Sequence, residues 1–210
     1  MNVWLTRVIL DPRNPAARRD LGNAELLHKR VMLLVPDGLG KNARATSGVL
    51  YRYDDTASAG PHLLVQSLLP TNPERLPEGY GAVAVREITS FLEKLESGAV
   101  VHYRITANTA KRLGRTADQA GKVVALHGSD AEEWWHTRAA ANGLVLRTSV
   151  STSMPDIRGR GKDAVRHAVT RFAGMAVVQD VEALRRAVVT GVGRGKAYGC
   201  GLLSLAPVNG

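Results

Sequence analysis

Bulky and β-branched residues fill Val3–Leu10 and stop at Asp11-Pro12, a pattern that predicts a strand. A basic turn region follows over Asn14–Asp20, with Arg13, Arg18 and Arg19. Asn23 then caps a predicted helix that runs through Glu25, Leu26, Leu27 and His28 to about Leu34. Pro36-Asp37-Gly38 opens a polar loop that carries Lys41 and Arg44. Val49–Tyr53 and His62–Leu69 read as strands across a small, polar connection, Asp54–Pro61. Pro70–Gly79 has three prolines and room for only a short helical turn before a fourth strand, Ala82–Ile88.

The order of elements then repeats. Ala99–Thr106 is a predicted strand. Ser129 caps a helix from Ala131 to Asn142 that ends at Gly143, and Leu144–Ser151 and Val165–Gln179 are strands around a basic connection. Asp180 caps a helix from Val181 to Val189, and Gly199–Leu205 closes the sheet. Two successive β-α-β-β-α-β units predict an α+β chain of two tandem ferredoxin-like domains, divided at 1–92 and 93–210. The two halves share this order and no sequence identity.

The most distinctive stretch is Gly191-Val192-Gly193-Arg194-Gly195-Lys196-Ala197-Tyr198-Gly199-Cys200-Gly201. Its glycines let the backbone approach a ligand closely, and Arg194 and Lys196 suit a phosphate. The stretch fits neither familiar nucleotide loop. Only three residues separate Gly191 from Gly195, and Ala197 stands where a Walker loop needs Ser or Thr. A dinucleotide fingerprint needs a following helix and a distant acidic residue, whereas here a closing strand follows. A nucleic-acid backbone is the better match.

Charge strengthens that reading. The 210 residues carry a formal net charge of +9, which suggests a polyanion partner, nucleic acid ahead of a membrane surface. Aromatic residues make up only 5%, and no aromatic RNA-binding signature occurs, so contact with phosphate and shape is expected rather than base stacking. Lys111, Arg112 and Arg115 follow the first strand of the second half. Arg158, Arg160 and Lys162 occupy the connection before the long strand, and Arg166 and Arg171 continue along it. Such a hairpin can track a phosphate backbone or enter a widened RNA groove. The lone cysteine, Cys200, leaves no disulfide framework or thiolate zinc cluster and fits a cytoplasmic setting. No apolar run reaches a membrane span, and the N-terminus has no signal-peptide pattern.

Six histidines are present, and none has metal-ligand spacing, so no metal or cofactor is expected. His28 stands out because it follows three arginines and precedes Lys29 and Arg30. Cations lower a histidine's proton affinity, which suits a general base near neutral pH. The competing reading is a surface histidine on a basic helix. His62 and His102 fall on strands, and His136 after Trp134-Trp135 reads as a packing residue. Of that tryptophan pair, one is expected in the core and the other over its edge.

Three stretches resemble the CasE family, the repeat-RNA endonucleases of type I-E CRISPR systems in the Cas-six group. They are Trp4–Leu10 with Ala16–Leu21 and Leu27-His28-Lys29, then Ile105–Leu113, then Gly191–Pro207. The resemblance implies tandem ferredoxin-like domains that bind a CRISPR repeat stem-loop. It also implies one metal-independent cut at the base of the stem, by attack of the RNA's own 2′-hydroxyl. The partners it implies are the repeat RNA and other Cascade subunits, with the protein a monomer outside that complex. His28 falls on the family's catalytic histidine. Glu25 stands where the family often has a tyrosine; either His28 works without it, or Lys29, Arg18 or Arg19 compensates, or the enzyme is slow. Thr109 and Thr106 replace a proline and an arginine of the middle segment. A non-cleaving RNA-binding subunit of the same superfamily remains the alternative, and a housekeeping RNA-binding protein a third.

Overall fold

A computed structural model describes residues 2–56, 60–114, 121–159 and 166–208. The first half opens with β1 (Trp4–Leu10), in which Thr6, Val8 and Leu10 point inward and Arg7 and Ile9 outward. Helices α1 (Pro15–Leu21), α2 (Ala24–Met32) and α3 (Ala43–Ser47) follow. Then come β2 (Leu50–Thr56), β3 (Gly60–Ser67), a 3₁₀ turn at Pro73–Arg75, and β4 (Gly81–Glu87). The strands form an antiparallel sheet in the order β2-β3-β1-β4.

A short helix, α4 (Thr89–Glu93), leads into the second half. Its strands are β5 (Val100–Ala107), β6 (Ala110–Arg112), β7 (Val123–Ala125), β8 (Leu144–Leu146), β9 (Val150–Arg158), β10 (Arg166–Val178) and β11 (Leu203–Pro207). Helices α5 (Gly128–Ala141) and α6 (Val181–Thr190) intervene. The main sheet runs β11-β5-β10-β8, with β9 also paired to β10. Counting in chain order only the four strands on each sheet's main path, both sheets have the order fourth-first-third-second, the ferredoxin-like arrangement.

Several local expectations need correction. The basic turn at Asn14–Asp20 is helix α1: Asn14 Oδ1 accepts from the backbone N–H groups of Ala16 and Ala17, and Pro15 occupies the first helical turn. An Asn cap followed by proline is a helix start, which outweighs the arginines beside it. The expected strand Leu144–Ser151 is broken in two. Arg147 and Thr148 both donate to the Met175 carbonyl, and the Thr148 carbonyl presses on Gly174 so closely that a Cβ there would lie 2.1 Å away. The closing strand begins at Leu203 rather than Gly199, because Gly199 and Gly201 hold φ of 83° and 88°, outside any strand. Helix α5 starts one residue before the expected Ser129 cap and has no side-chain cap, and His136 is exposed rather than packed.

Each sheet has its own core. The first gathers Val8, Leu10, Leu27, Val31, Tyr51, Leu63, Val65 and Tyr80. The second centres on Trp135, fully buried, which stacks on Phe172 at 5.7 Å and meets Tyr103 at 5.6 Å. Its neighbour Trp134 covers the edge with Arg138 over its ring. Truncating Trp135 to alanine would cost about 3–5 kcal/mol. The halves are fastened by Arg52. Its Nε donates to Asp54 at 2.7 Å, and Nη1 reaches the carbonyls of Arg104 and Leu202 and the Ser204 hydroxyl.

Candidate active site

Helix α2 buries Ala24, Leu27 and Val31, a stripe at positions i, i+3 and i+7. His28, one residue past Leu27, therefore sits at the border of that stripe and is half-buried. Asn23 sets the start of the helix by accepting from the N–H groups of Glu25 and Leu26. What faces His28 comes from the other end of the chain.

The glycine-rich segment closes on itself. Val192 N–H donates to the Gly201 carbonyl, Tyr198 and Cys200 donate to that of Gly195, and Gly201 N–H donates to Thr106 at the end of β5. Lys196–Tyr198 forms a 3₁₀ turn, and the Tyr51 hydroxyl donates to the Ala197 carbonyl at 3.1 Å. The loop is thereby held against the first half. The Tyr198 ring lies 6.1 Å from the His28 ring, tilted by 58°, and 5.7 Å from the His167 ring.

Electrostatics favour a neutral His28. Burial lowers its proton affinity, the Arg44 guanidinium lowers it further, and the Ala197 backbone partly opposes both. Its Nδ1 is buried and, among the described residues, has no hydrogen-bond partner. The ring borders a groove of about 660 Å³ whose other polar lining includes Lys29, Lys41 and Arg44. Lys196 completes the cationic group. Its Nζ donates to the Thr190 carbonyl at 2.7 Å, and burial followed by the nearby Arg44 lowers its pKa. A neutral imidazole beside four cations can take a proton from a hydroxyl while the cations attract a phosphate.

Behind Tyr198 a second cleft, of about 560 Å³, runs between the halves and is mainly apolar, with Leu27, Tyr51, Tyr53, Ile157 and Val169 in its walls. Cys200 is wholly buried, and burial pushes its thiol up to about 12, so it is no nucleophile.

The candidates read from the sequence divide among several places. His28 and Lys29 share the groove, and Lys196 approaches it through Arg44. Glu25 is turned toward the base of the β9–β10 hairpin, where a Cβ at Gly159 would lie 2.2 Å from its Oε1. Arg18 and Arg19 lie exposed on α1, Arg19 against Asp20 at 3.6 Å. Lys111 and Arg112 sit on the β6–β7 hairpin, with Arg112 donating to the Gly121 carbonyl. Arg158 and Arg166 share the carboxylate of Asp156, at 3.3 Å and 2.9 Å. Hydrogen bonds, from Arg166 first and from Arg158 next, lower the Asp156 pKa. Arg194 forms a β-bridge with Asn108. Arg115, Arg160 and Lys162 lie outside the described residues.

Sequence reasoning noted Lys41 and Arg44 as loop charges without assigning them to a site, and it passed over Tyr198 and His167. The signal for Tyr198 was its place in the glycine-rich loop. None existed for His167, because only the fold brings residues 28, 167 and 198 together.

Comparison with known proteins places this arrangement. A family model described as CRISPR associated protein matches residues 3–207. The CRISPR-associated endoribonuclease Cse3 of Thermus thermophilus is 32% identical, over 98% of this chain and all of the relative. The structure of Thermus thermophilus Cse3 bound to an RNA representing a pre-cleavage complex superposes with a TM-score of 0.83 at 31% identity, covering 99% of this chain and 100% of the other. A chain of a CRISPR RNA-guided surveillance complex, in a pre-nicking state, is 43% identical with a TM-score of 0.73, covering 98% and 100%. With matches of this length in sequence and fold, the chain belongs to the CRISPR-associated protein family and is homologous to the Cse3/CasE endoribonucleases.

Proposed function

We propose that the protein is a metal-independent endoribonuclease that binds a CRISPR repeat stem-loop, cuts the precursor RNA at the base of the stem and keeps the product within Cascade. The observation that carries this reading is His28, half-buried and held neutral, opening onto a groove with Lys29, Lys41 and Arg44. In the proposed reaction the 2′-hydroxyl loses its proton to the imidazole, and its oxygen bonds to the adjacent phosphorus. The bond from phosphorus to the 5′-oxygen breaks, and that oxygen takes up a proton. The products are a cyclic 2′,3′-phosphate and a 5′-hydroxyl. Lys29, Lys41, Arg44 and Lys196 offset the charge that develops on the phosphorane, a task that metal ions perform in other nucleases. A site already lined by cations would repel such an ion.

Tyr198, packed against His28, fixes the plane of the imidazole. Glu25, facing Gly159, serves the hairpin rather than the proton transfer. The 1–92 unit supplies His28 and the groove. The 93–210 unit supplies the grip on the stem, through Lys111, Arg112, Arg158, Arg166 and Arg194, and through Arg160 and Lys162, which lie outside the described residues. Arg18 and Arg19 extend the basic surface ahead of α2. We further infer a cytoplasmic location from the free, buried Cys200. Among the described residues no helix is long and apolar enough to cross a membrane.

The test is cleavage of the host's own repeat RNA in excess chelator, with ribose or deoxyribose at the scissile position. Cleavage of the ribose substrate alone is the expected result. Activity that disappears in chelator and returns with magnesium would overturn the mechanism, as would cutting of the deoxyribose substrate.

A further inference from the structure

His167, whose ring lies against Tyr198, lines a pocket of about 460 Å³ that the proposed cleavage reaction does not use. Asn108, His127, Asp156, Arg166, His167 and Arg194 line it. We propose that it is a subsite for one unpaired nucleotide of the RNA next to the scissile phosphate. This rests on the reading of the protein as an RNA-cutting enzyme and names a further part of its substrate.

The pocket has a rigid floor. Asn108 is 8% exposed and is tied to Arg194 through the β-bridge, and the neighbouring Thr109 hydroxyl donates to the Leu126 carbonyl. The Asn108 side-chain amide hydrogen-bonds His167 Nδ1. With the amide nitrogen as donor, the neutral ring must carry its proton on Nε2, so His167 offers an N–H rather than a lone pair. Burial and the nearby Arg194 both lower its proton affinity and keep it in that form.

The charges then divide the work. Asp156 is occupied by Arg158 and Arg166. Among the described residues no carboxylate pairs with Arg194, which is exposed and available to a phosphate. His127, which also lines the pocket, immediately precedes α5. Donors predominate throughout, and a phosphate with an acceptor-bearing base edge matches them. A base can enter such a pocket only when it is unpaired and unstacked. The volume lies within the range that holds small ligands. The His28 and His167 rings both contact Tyr198, so a strand whose phosphate lies at His28 has the pocket within reach of its neighbouring nucleotide.

The experiment measures dissociation constants for two RNAs, the repeat stem-loop ending flush with its duplex and the same stem-loop with unpaired nucleotides on both sides. Both carry deoxyribose at the cut so that neither reacts. The wild type should bind the flanked RNA about 10-fold more tightly, the equivalent of one held base. In His167→Ala and Arg194→Gln that ratio should fall to about 1, whatever happens to the affinity for the stem itself. If His167→Ala lowers the melting temperature, the exposed Arg194→Gln decides. A ratio unchanged in both variants overturns the subsite, and so does a wild type indifferent to the flanks. A wild type that binds neither RNA overturns the RNA-cutting reading and the subsite with it.

Discussion

Arg44 and Arg52 are eight positions apart in the chain and have opposite surroundings. Arg52 is 3% exposed, bonded to Asp54 and to three further acceptors across the junction of the halves. Among the described residues the Arg44 guanidinium makes one hydrogen bond, to the Val49 carbonyl at 3.3 Å, and otherwise faces the groove beside His28 and Lys196. A saturated guanidinium holds structure together. An unsaturated one lowers the proton affinity of its neighbours and waits for an anion. Net charge does not distinguish the two, and partner count does.

The sharpest test removes the group that the Arg44 side serves. His28→Ala should slow single-turnover cleavage by about 10²–10⁴-fold while leaving RNA affinity nearly intact. A mutant that cuts at the wild-type rate would return His28 to the status of a surface residue on a basic helix.

On the Arg52 side the expected loss is in stability. Arg52→Ala leaves Asp54, 1% exposed, without its main partner, and this should cost about 3–5 kcal/mol in denaturant unfolding. A loss under about 1 kcal/mol would mean that the junction is held by packing instead. Arg44→Gln should spare stability and lower the rate, by roughly 10- to 100-fold if its guanidinium bonds the charged phosphorane. It should also move the pH profile. Arg44 depresses the His28 pKa, so its removal raises that pKa and shifts the acidic limb of the rate to higher pH. An acidic limb that stays in place, measured by single-turnover rates across the acidic range, would separate Arg44 from His28.

The smallest effects belong to the hairpin. Arg158→Gln and Arg166→Gln should each flatten the salt dependence of RNA binding by at most about one unit of slope. Asp156 already offsets part of their charge, so Asp156→Asn should steepen it instead. Unchanged slopes in all three variants would make the base of the hairpin a solvated surface and move the stem grip to Lys111 and Arg112.

Much of the fold was legible along the chain. Asn23 and Asp180 cap the helices they precede, since a short acceptor side chain ahead of an amphipathic run has few other uses. Most strands lie near their expected positions, but β9 runs on through Thr152–Arg158, a stretch expected to be a connection. Errors arose where local composition and local geometry disagreed. The arginines around α1 suggested a turn, yet Asn14 and Pro15 start a helix there. The break between β8 and β9 depends on Thr148 pressing against Gly174, 26 residues later, and no local pattern could reveal it.

The sequence by itself determined the class of fold, the basic character of the surface, the glycine-rich loop and the singling out of His28. These follow from spacing, charge and backbone freedom, which act over a few residues. Only the tertiary structure decided which cations remain unsatisfied, that Tyr198 contacts both His28 and His167, and that Glu25 turns toward Gly159. Burial and hydrogen-bond saturation depend on atoms that are distant in sequence. Arg44 and Arg52 are the same residue type until folding supplies one with an aspartate and leaves the other facing a groove.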